Sequence, residues 1–119
     1  VSDPKYKVDM FLGIGGGPEG VLAASALDAY NCHFQGRFIF DNDKDVNDAK
    51  SMGINDLDKK YELNEIIKGD SIFCATGITS SDFLNGIVLN KDKFTSETLV
   101  THKNSNLKKI IKNINFINE

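Results

Sequence analysis

Residues 13–20 read Gly13-Ile14-Gly15-Gly16-Gly17-Pro18-Glu19-Gly20, and no other stretch of the chain restricts the fold as much. Ahead of it, Val8-Asp9-Met10-Phe11-Leu12 predicts a short buried strand ended by the glycines. Behind it, Val21, Leu22, Ala23, Ala24, Ala26, Leu27 and Ala29 predict a helix with an apolar face. Pro18 suits the first helical turn, where a missing N–H costs nothing. Glu19 is favoured there by the helix dipole, by about 0.3–1 kcal/mol. A strand, a glycine turn and a helix start form a general device for holding phosphate. The glycines let the backbone come close, and the helix amino end turns unpaired N–H groups toward an anion.

Three chemistries fit the turn. Gly15, Gly17 and Gly20 have the G-x-G-x-x-G spacing of a dinucleotide site, and Asp41 follows at about the distance of a ribose-binding acid. Against that reading, Glu19 puts a carboxylate where the pyrophosphate belongs. Two charges about 4 Å apart repel by roughly 4 kcal/mol at an effective dielectric of 20. Pro18 also removes a donor. In the second chemistry Glu19 binds a divalent cation that a phosphate shares, since Mg²⁺ takes one or two carboxylates plus phosphate oxygens and water. In the third, the glycines make a tight turn and Glu19 only complements the dipole. A P-loop is excluded, because no Gly-Lys-Ser or Gly-Lys-Thr follows.

Further along, residues 35–40 predict a second strand, and Asp41-Asn42-Asp43-Lys44-Asp45 leads into a helix ending near Met52-Gly53. A short helix is predicted from Leu63 to Lys68, then a central strand from Asp70 to Thr76, with Cys74 as a small core residue. Ser80-Ser81-Asp82 predicts a helical turn through Leu84. The β-branched stretches around residues 95–101 and 107–111, separated by Lys103-Asn104-Ser105-Asn106, predict a hairpin. The order is that of an α/β protein with an antiparallel end, in one domain of 119 residues.

A net charge of -3 offers no field for a nucleic-acid backbone, and Lys103, Lys108, Lys109 and Lys112 read as a solvated face. Cys32 and Cys74 fit neither a zinc pattern nor a disulfide framework, which predicts a reducing, cytoplasmic setting. No apolar run approaches the roughly 20 residues that span a bilayer. His33 and His102 are too separated for a metal pair, and Asp41, Asp43, Asp45 and Asp48 lack the glycine and terminal glutamate of a calcium loop.

The run from Val8 to Val21 resembles the GIGGAPEGV segment of class II fructose-1,6-bisphosphatases. Gln35-Gly36-Arg37, Ala49-Lys50-Ser51-Met52-Gly53-Ile54, the stretch from Asp70 to Thr79, and Thr95-Ser96-Glu97-Thr98-Leu99 extend the resemblance in the family's order. It implies the carboxy-terminal half of a layered α/β sandwich of the sugar and inositol phosphatase superfamily. It also implies hydrolysis of the 1-phosphate of fructose 1,6-bisphosphate with Mg²⁺ or Mn²⁺, some members accepting sedoheptulose 1,7-bisphosphate. The complete enzyme would be a homo-oligomer of sugar phosphate metabolism and gluconeogenesis. On the matched positions Glu19 would be a metal-ligand carboxylate and Gly16 a backbone contact to substrate.

Departures are expected to matter. Gly17 stands where the family has Ala, and Ser80-Ser81-Asp82 replaces a Gly-Asp pair. The family's amino-terminal metal motif, of the Asp-Pro-x-x-Gly-Thr type, does not occur, since Asp3-Pro4 is followed by Lys5-Tyr6. The amino-terminal metal-binding half is thus expected to lie outside these residues, and the isolated chain is expected to be catalytically silent.

Overall fold

A long antiparallel hairpin organises the computed structural model, which describes residues 2–117. Strands β5 (Lys93–His102) and β6 (Leu107–Phe116) pair along their full length, from Lys93 opposite Phe116 to His102 opposite Leu107. The turn between them closes through the Asn106 N–H, which donates to the Lys103 carbonyl at 2.9 Å. Asn106 sits at φ 51°, a left-handed conformation that Asn tolerates better than most residues. The hairpin is therefore where the sequence predicts it, and several residues longer.

β5 is the middle strand. On its other side it pairs antiparallel with β3 (Ile72–Thr76) and, further along, with β4 (Val88–Leu89). The Gly77 N–H donates to the Glu97 carbonyl at 3.0 Å and continues the β3–β5 register. Bonded and non-bonded pairs alternate in an antiparallel ladder. Ala75 and Phe73 accordingly turn their backbone groups toward β5, whereas Ile72, Cys74 and Thr76 turn theirs away. On that outer side β3 has no neighbouring strand among the described residues. The strand predicted to be central is an edge, and Cys74, predicted to be core, is exposed.

The reason lies in residues 8–12. They form no strand, and Met10, Phe11 and Leu12 are 70%, 77% and 81% exposed. An apolar run without a partner has no ladder to satisfy its N–H and C=O groups, so water takes them and the backbone stays irregular. The second predicted strand is cut short for the same reason. Only β1 (Gln35–Gly36) pairs, antiparallel with β2 (Tyr61–Glu62), while Phe38 packs edge-on against Tyr61 at 5.7 Å. Mixed helices and strands agree with the α/β class, and every pairing among the described residues is antiparallel.

Three α-helices and a short 3-10 turn (Pro4–Tyr6) lie among the described residues besides the strands. α1 (Gly17–Asp28) packs on β3 and buries Ala24 and Asp28. α2 (Asp43–Ser51) starts at Asn42, whose side chain accepts from the Asp45 N–H at 3.0 Å, and stops at Gly53 with φ 89°. The acidic run before it is a helix start, as predicted. α3 (Leu63–Ile66) opens on a capping box between Glu62 and Glu65. The turn predicted at Ser80-Ser81-Asp82 is not helical. Ser81 Oγ instead accepts from the N–H groups of Phe83 and Leu84, which holds a compact loop.

The core is small. Its buried apolar side chains are Ala24, Ala29, Ala49, Leu84 and Leu99, mostly residues with little area to remove from water. The accessible surface is 9259 Å², against about 6,400 Å² for a compact chain of this mass. The radius of gyration is 18.1 Å, against about 13–14 Å.

Candidate metal and phosphate corner

The glycine turn ends in the amino terminus of α1. Gly16 is the N-cap residue, with extended backbone at φ -68° and ψ 158° and no side chain to cap the first turn. The helical ladder begins with the Gly20 N–H on the Gly16 carbonyl, at 3.0 Å. Pro18 has no N–H, and the N–H groups of Gly17 and Glu19, in the first turn, have no helical partner. Glu19 is exposed, and its carboxylate folds back over Gly16. A Cβ built on residue 16 would overlap Glu19 Oε2. A side chain at position 16 would displace only the mobile end of Glu19, and the φ of Gly16 is open to any residue, so glycine here permits the approach of Glu19 without being demanded by the backbone.

The structure thus brings together the two residues that the sequence marks for metal and substrate. Glu19 also stands at the rim of a shallow groove between α1 and β3, lined by Leu22, Ala23, Ala26, Phe73, Cys74 and Ala75. Asp41 belongs to a different part of the chain. A ribose acid is placed by parallel pairing of the first two strands of a dinucleotide fold. Residues 8–12 and 35–40 make no such pairing among the described residues, so nothing supports that alternative.

A divalent cation such as Mg²⁺ calls for about six oxygen ligands, with one or two carboxylates among them. Glu19 supplies one carboxylate beside N–H groups that have no helical partner. Among the described residues no three His, Cys, Asp or Glu side chains cluster as a metal site. The residues present fit one corner of such a site. The remaining ligands would have to come from elsewhere, so no catalytic step can be derived through a metal here.

Sequence reasoning gave no role to the residue that holds the loop after β3. Glu97 accepts from the Asn85 N–H and from Asn85 Nδ2, both at 2.9 Å, and pairs with Lys112 at 2.8 Å. Lys112 first, then the Asn85 donors, hold its carboxyl down at about 2. The missed signal was period two. Glu97 alternates in β5 with Leu99 and Thr101, both buried, so it had to point inward. Gly77 permits the loop to close, for a Cβ there would lie 2.5 Å from the Asn85 carbonyl oxygen.

The basic cluster is an exposed face, as expected, and three of its lysines also make contacts. Lys103 Nζ lies 2.6 Å from the buried Asp28 of α1, and Lys108 Nζ sits 5.2 Å from the centre of the Tyr30 ring. With Lys112 on Glu97, three of the four lysines brace the hairpin. His102 is held between Asp70 and Ser105, at 2.7 Å each, and ties the turn to the start of β3. His33 is exposed. No helix among the described residues is long and apolar enough to cross a membrane.

The model of the family described as bacterial fructose-1,6-bisphosphatase, glpX-encoded, matches residues 1–115. A D-fructose 1,6-bisphosphatase class 2/sedoheptulose 1,7-bisphosphatase of Prochlorococcus marinus (strain MIT 9515) is 35% identical over 103 residues. That match covers 75% of this chain and 31% of the relative. The protein of the same name from Trichormus variabilis (strain ATCC 29413 / PCC 7937) is 32% identical over 120 residues, covering 90% of this chain and 35% of the relative. The chain spans about a third of the length of the curated relatives it matches.

Proposed function

The chain belongs to the glpX-encoded bacterial fructose-1,6-bisphosphatase family, and on that premise we propose that it is the carboxy-terminal segment of a metal-dependent phosphatase. The reaction is hydrolysis of the 1-phosphate of fructose 1,6-bisphosphate, on a layered α/β sandwich of the sugar and inositol phosphatase type. The setting is cytoplasmic sugar phosphate metabolism, gluconeogenesis included, and the complete enzyme is a homo-oligomer. The relatives named for both fructose and sedoheptulose bisphosphates make a ketose bisphosphate the substrate class.

The approach of Glu19 to Gly16 at an uncapped helix start carries this reading. Glu19 is the carboxylate that would hold Mg²⁺ or Mn²⁺. The Gly16 backbone, bare of a side chain, lets the substrate come close, and the N–H groups of Gly17 and Glu19, free of helical partners, meet phosphate oxygens. A bound divalent cation would neutralise phosphate charge and supply a nucleophilic water. The acidic ligands that complete the site belong to an amino-terminal portion.

Titration of Mn²⁺ into a chimera tests this. The chimera is the Trichormus variabilis relative with its matching stretch replaced by this chain. Glu19→Gln is expected to weaken Mn²⁺ binding by about tenfold or more. Unchanged affinity would remove Glu19 from the ligand set.

A further inference from the structure

Asn85-Gly86 is the one Asn-Gly pair in the chain, and the phosphatase reading gives it no role. In such a pair the main-chain nitrogen readily attacks the side-chain amide before it, because glycine has no side chain to obstruct the approach. Packing fixes both residues. A Cβ on residue 86 would lie 2.7 Å from the Ile78 carbonyl oxygen and from the Ser80 nitrogen, so backbone on two sides demands glycine. Asn85 donates through its N–H and its Nδ2 to the two oxygens of Glu97, at 2.9 Å each. A carboxylate at position 85 could not supply the second donor.

The same contacts hold the reaction off. Attack needs the Gly86 nitrogen to lose its proton and the Asn85 amide to swing over it. Gly86 is buried and its N–H donates to Ser80 Oγ at 3.0 Å, while Glu97 holds the Asn85 amide. We propose that Asn85 is a deamidation site latched by Glu97 and Ser80, and that its reaction opens the loop after β3 irreversibly. When the latch opens, the Gly86 nitrogen gives its proton to solvent base and bonds to Asn85 Cγ. The Cγ–Nδ2 bond breaks, ammonia leaves and a succinimide ring remains. Water then cleaves one ring C–N bond to give aspartate or isoaspartate, and nothing is oxidised or reduced. Either product turns a carboxylate toward Glu97 where Nδ2 stood, and two carboxylates that close do not both stay ionised. Isoaspartate also lengthens the main chain where the Asn85 carbonyl already leaves no room for a Cβ on Gly77. The latch cannot close again.

The test ages the 119-residue chain in mildly alkaline buffer beside a peptide of residues 80–90, which has the Asn-Gly pair without Glu97. Peptide mapping by mass spectrometry counts deamidated Asn85, and isoaspartate methyltransferase labelling reports the succinimide route. Asn85 should react at least about tenfold more slowly in the chain than in the peptide, since hydrogen bonds to a charged group must open first. Glu97→Gln and Ser80→Ala should each speed it at least about threefold. Asn104-Ser105, exposed in the hairpin turn, is the internal clock and should keep its rate in both variants. Asn85→Asp, which installs the product charge, should speed amide exchange at residue 86 at least about tenfold while the Leu99 and Thr101 amides stay protected.

Equal rates at Asn85 in the chain and the peptide, or acceleration of Asn85 and Asn104 together in the variants, would overturn the latch. Deamidation without isoaspartate would overturn the ring route. Loop amides that stay protected in Asn85→Asp would overturn the opening. None of these outcomes touches the phosphatase reading, which rests on Glu19 and Gly16.

Discussion

Glu19 folds its carboxylate into the space that a side chain on Gly16 would occupy. The two residues therefore act as one device. The extended backbone of Gly16 accepts any residue, so Gly16→Ala should cost only about 0.5–1 kcal/mol of stability through the poorer N-cap. It should nevertheless push the Glu19 carboxylate aside. In the chimera with the Trichormus variabilis relative, phosphate release is expected to fall at least about tenfold while the melting temperature shifts by only a few degrees. A matching loss of both would mean that Gly16 serves the helix alone.

Glu97 makes the loop after β3 sensitive to acid. Its carboxyl is held near 2 in the folded chain, below the ordinary value of 4.5. A depressed carboxyl contributes stability that is fully present above the unfolded value and is lost as pH falls through the folded one. Asn85 and Gly86 amide exchange, corrected for its intrinsic pH dependence, should be steady from pH 7 to 5. Protection should then decline between about 4.5 and 2. Glu97→Gln should speed exchange at Asn85 at neutral pH and flatten that decline.

Lys103 and Asp28 join the hairpin turn to the far end of α1. Asp28 is buried and Lys103 is half exposed, so the pair is screened on one side only. Lys103→Met should destabilise by about 1 kcal/mol because it strands a buried carboxylate. Asp28→Leu together with Lys103→Met should recover part of that loss. A thermal double-mutant cycle reads the coupling, and simple additivity would show that the pair does not act as a unit.

Gly77 closes the loop by close approach. Gly77→Ala would press a methyl group against the Asn85 carbonyl at 2.5 Å. The strain should cost about 1–3 kcal/mol and lower the melting temperature, with faster exchange confined to residues 78–87. An unchanged melting temperature would mean that the loop yields freely.

What was legible in the sequence was local. Helix starts at Gly17 and Asp43 follow from Pro18 and from Asn42 in the acidic run, and a short helix at Leu63 was expected too, all set by neighbours in sequence. The hairpin follows from β-branched runs around an Asn-rich turn. The strand at 72–76 was legible from its composition, but its place at an edge of the sheet was not, because that depends on distant partners. Residues 8–12 have the composition of a buried strand, but no pattern within them says whether a partner lies in the same 119 residues. Gly16 and Glu19 lie close because both belong to one helix start. The Glu97 latch and the Lys103–Asp28 tie were not legible, because residues 12 and 75 positions apart meet only after the sheet has formed.

The decisive measurement is phosphate release from fructose 1,6-bisphosphate with Mg²⁺ or Mn²⁺, run on the isolated chain, the chimera and the chimera with Glu19→Gln. The isolated chain should release none, the chimera should be active, and Glu19→Gln should lower its rate at least about a hundredfold. Metal-dependent hydrolysis by the isolated chain, or a chimera indifferent to Glu19, would contradict the assignment of this helix start as one corner of a divided metal site.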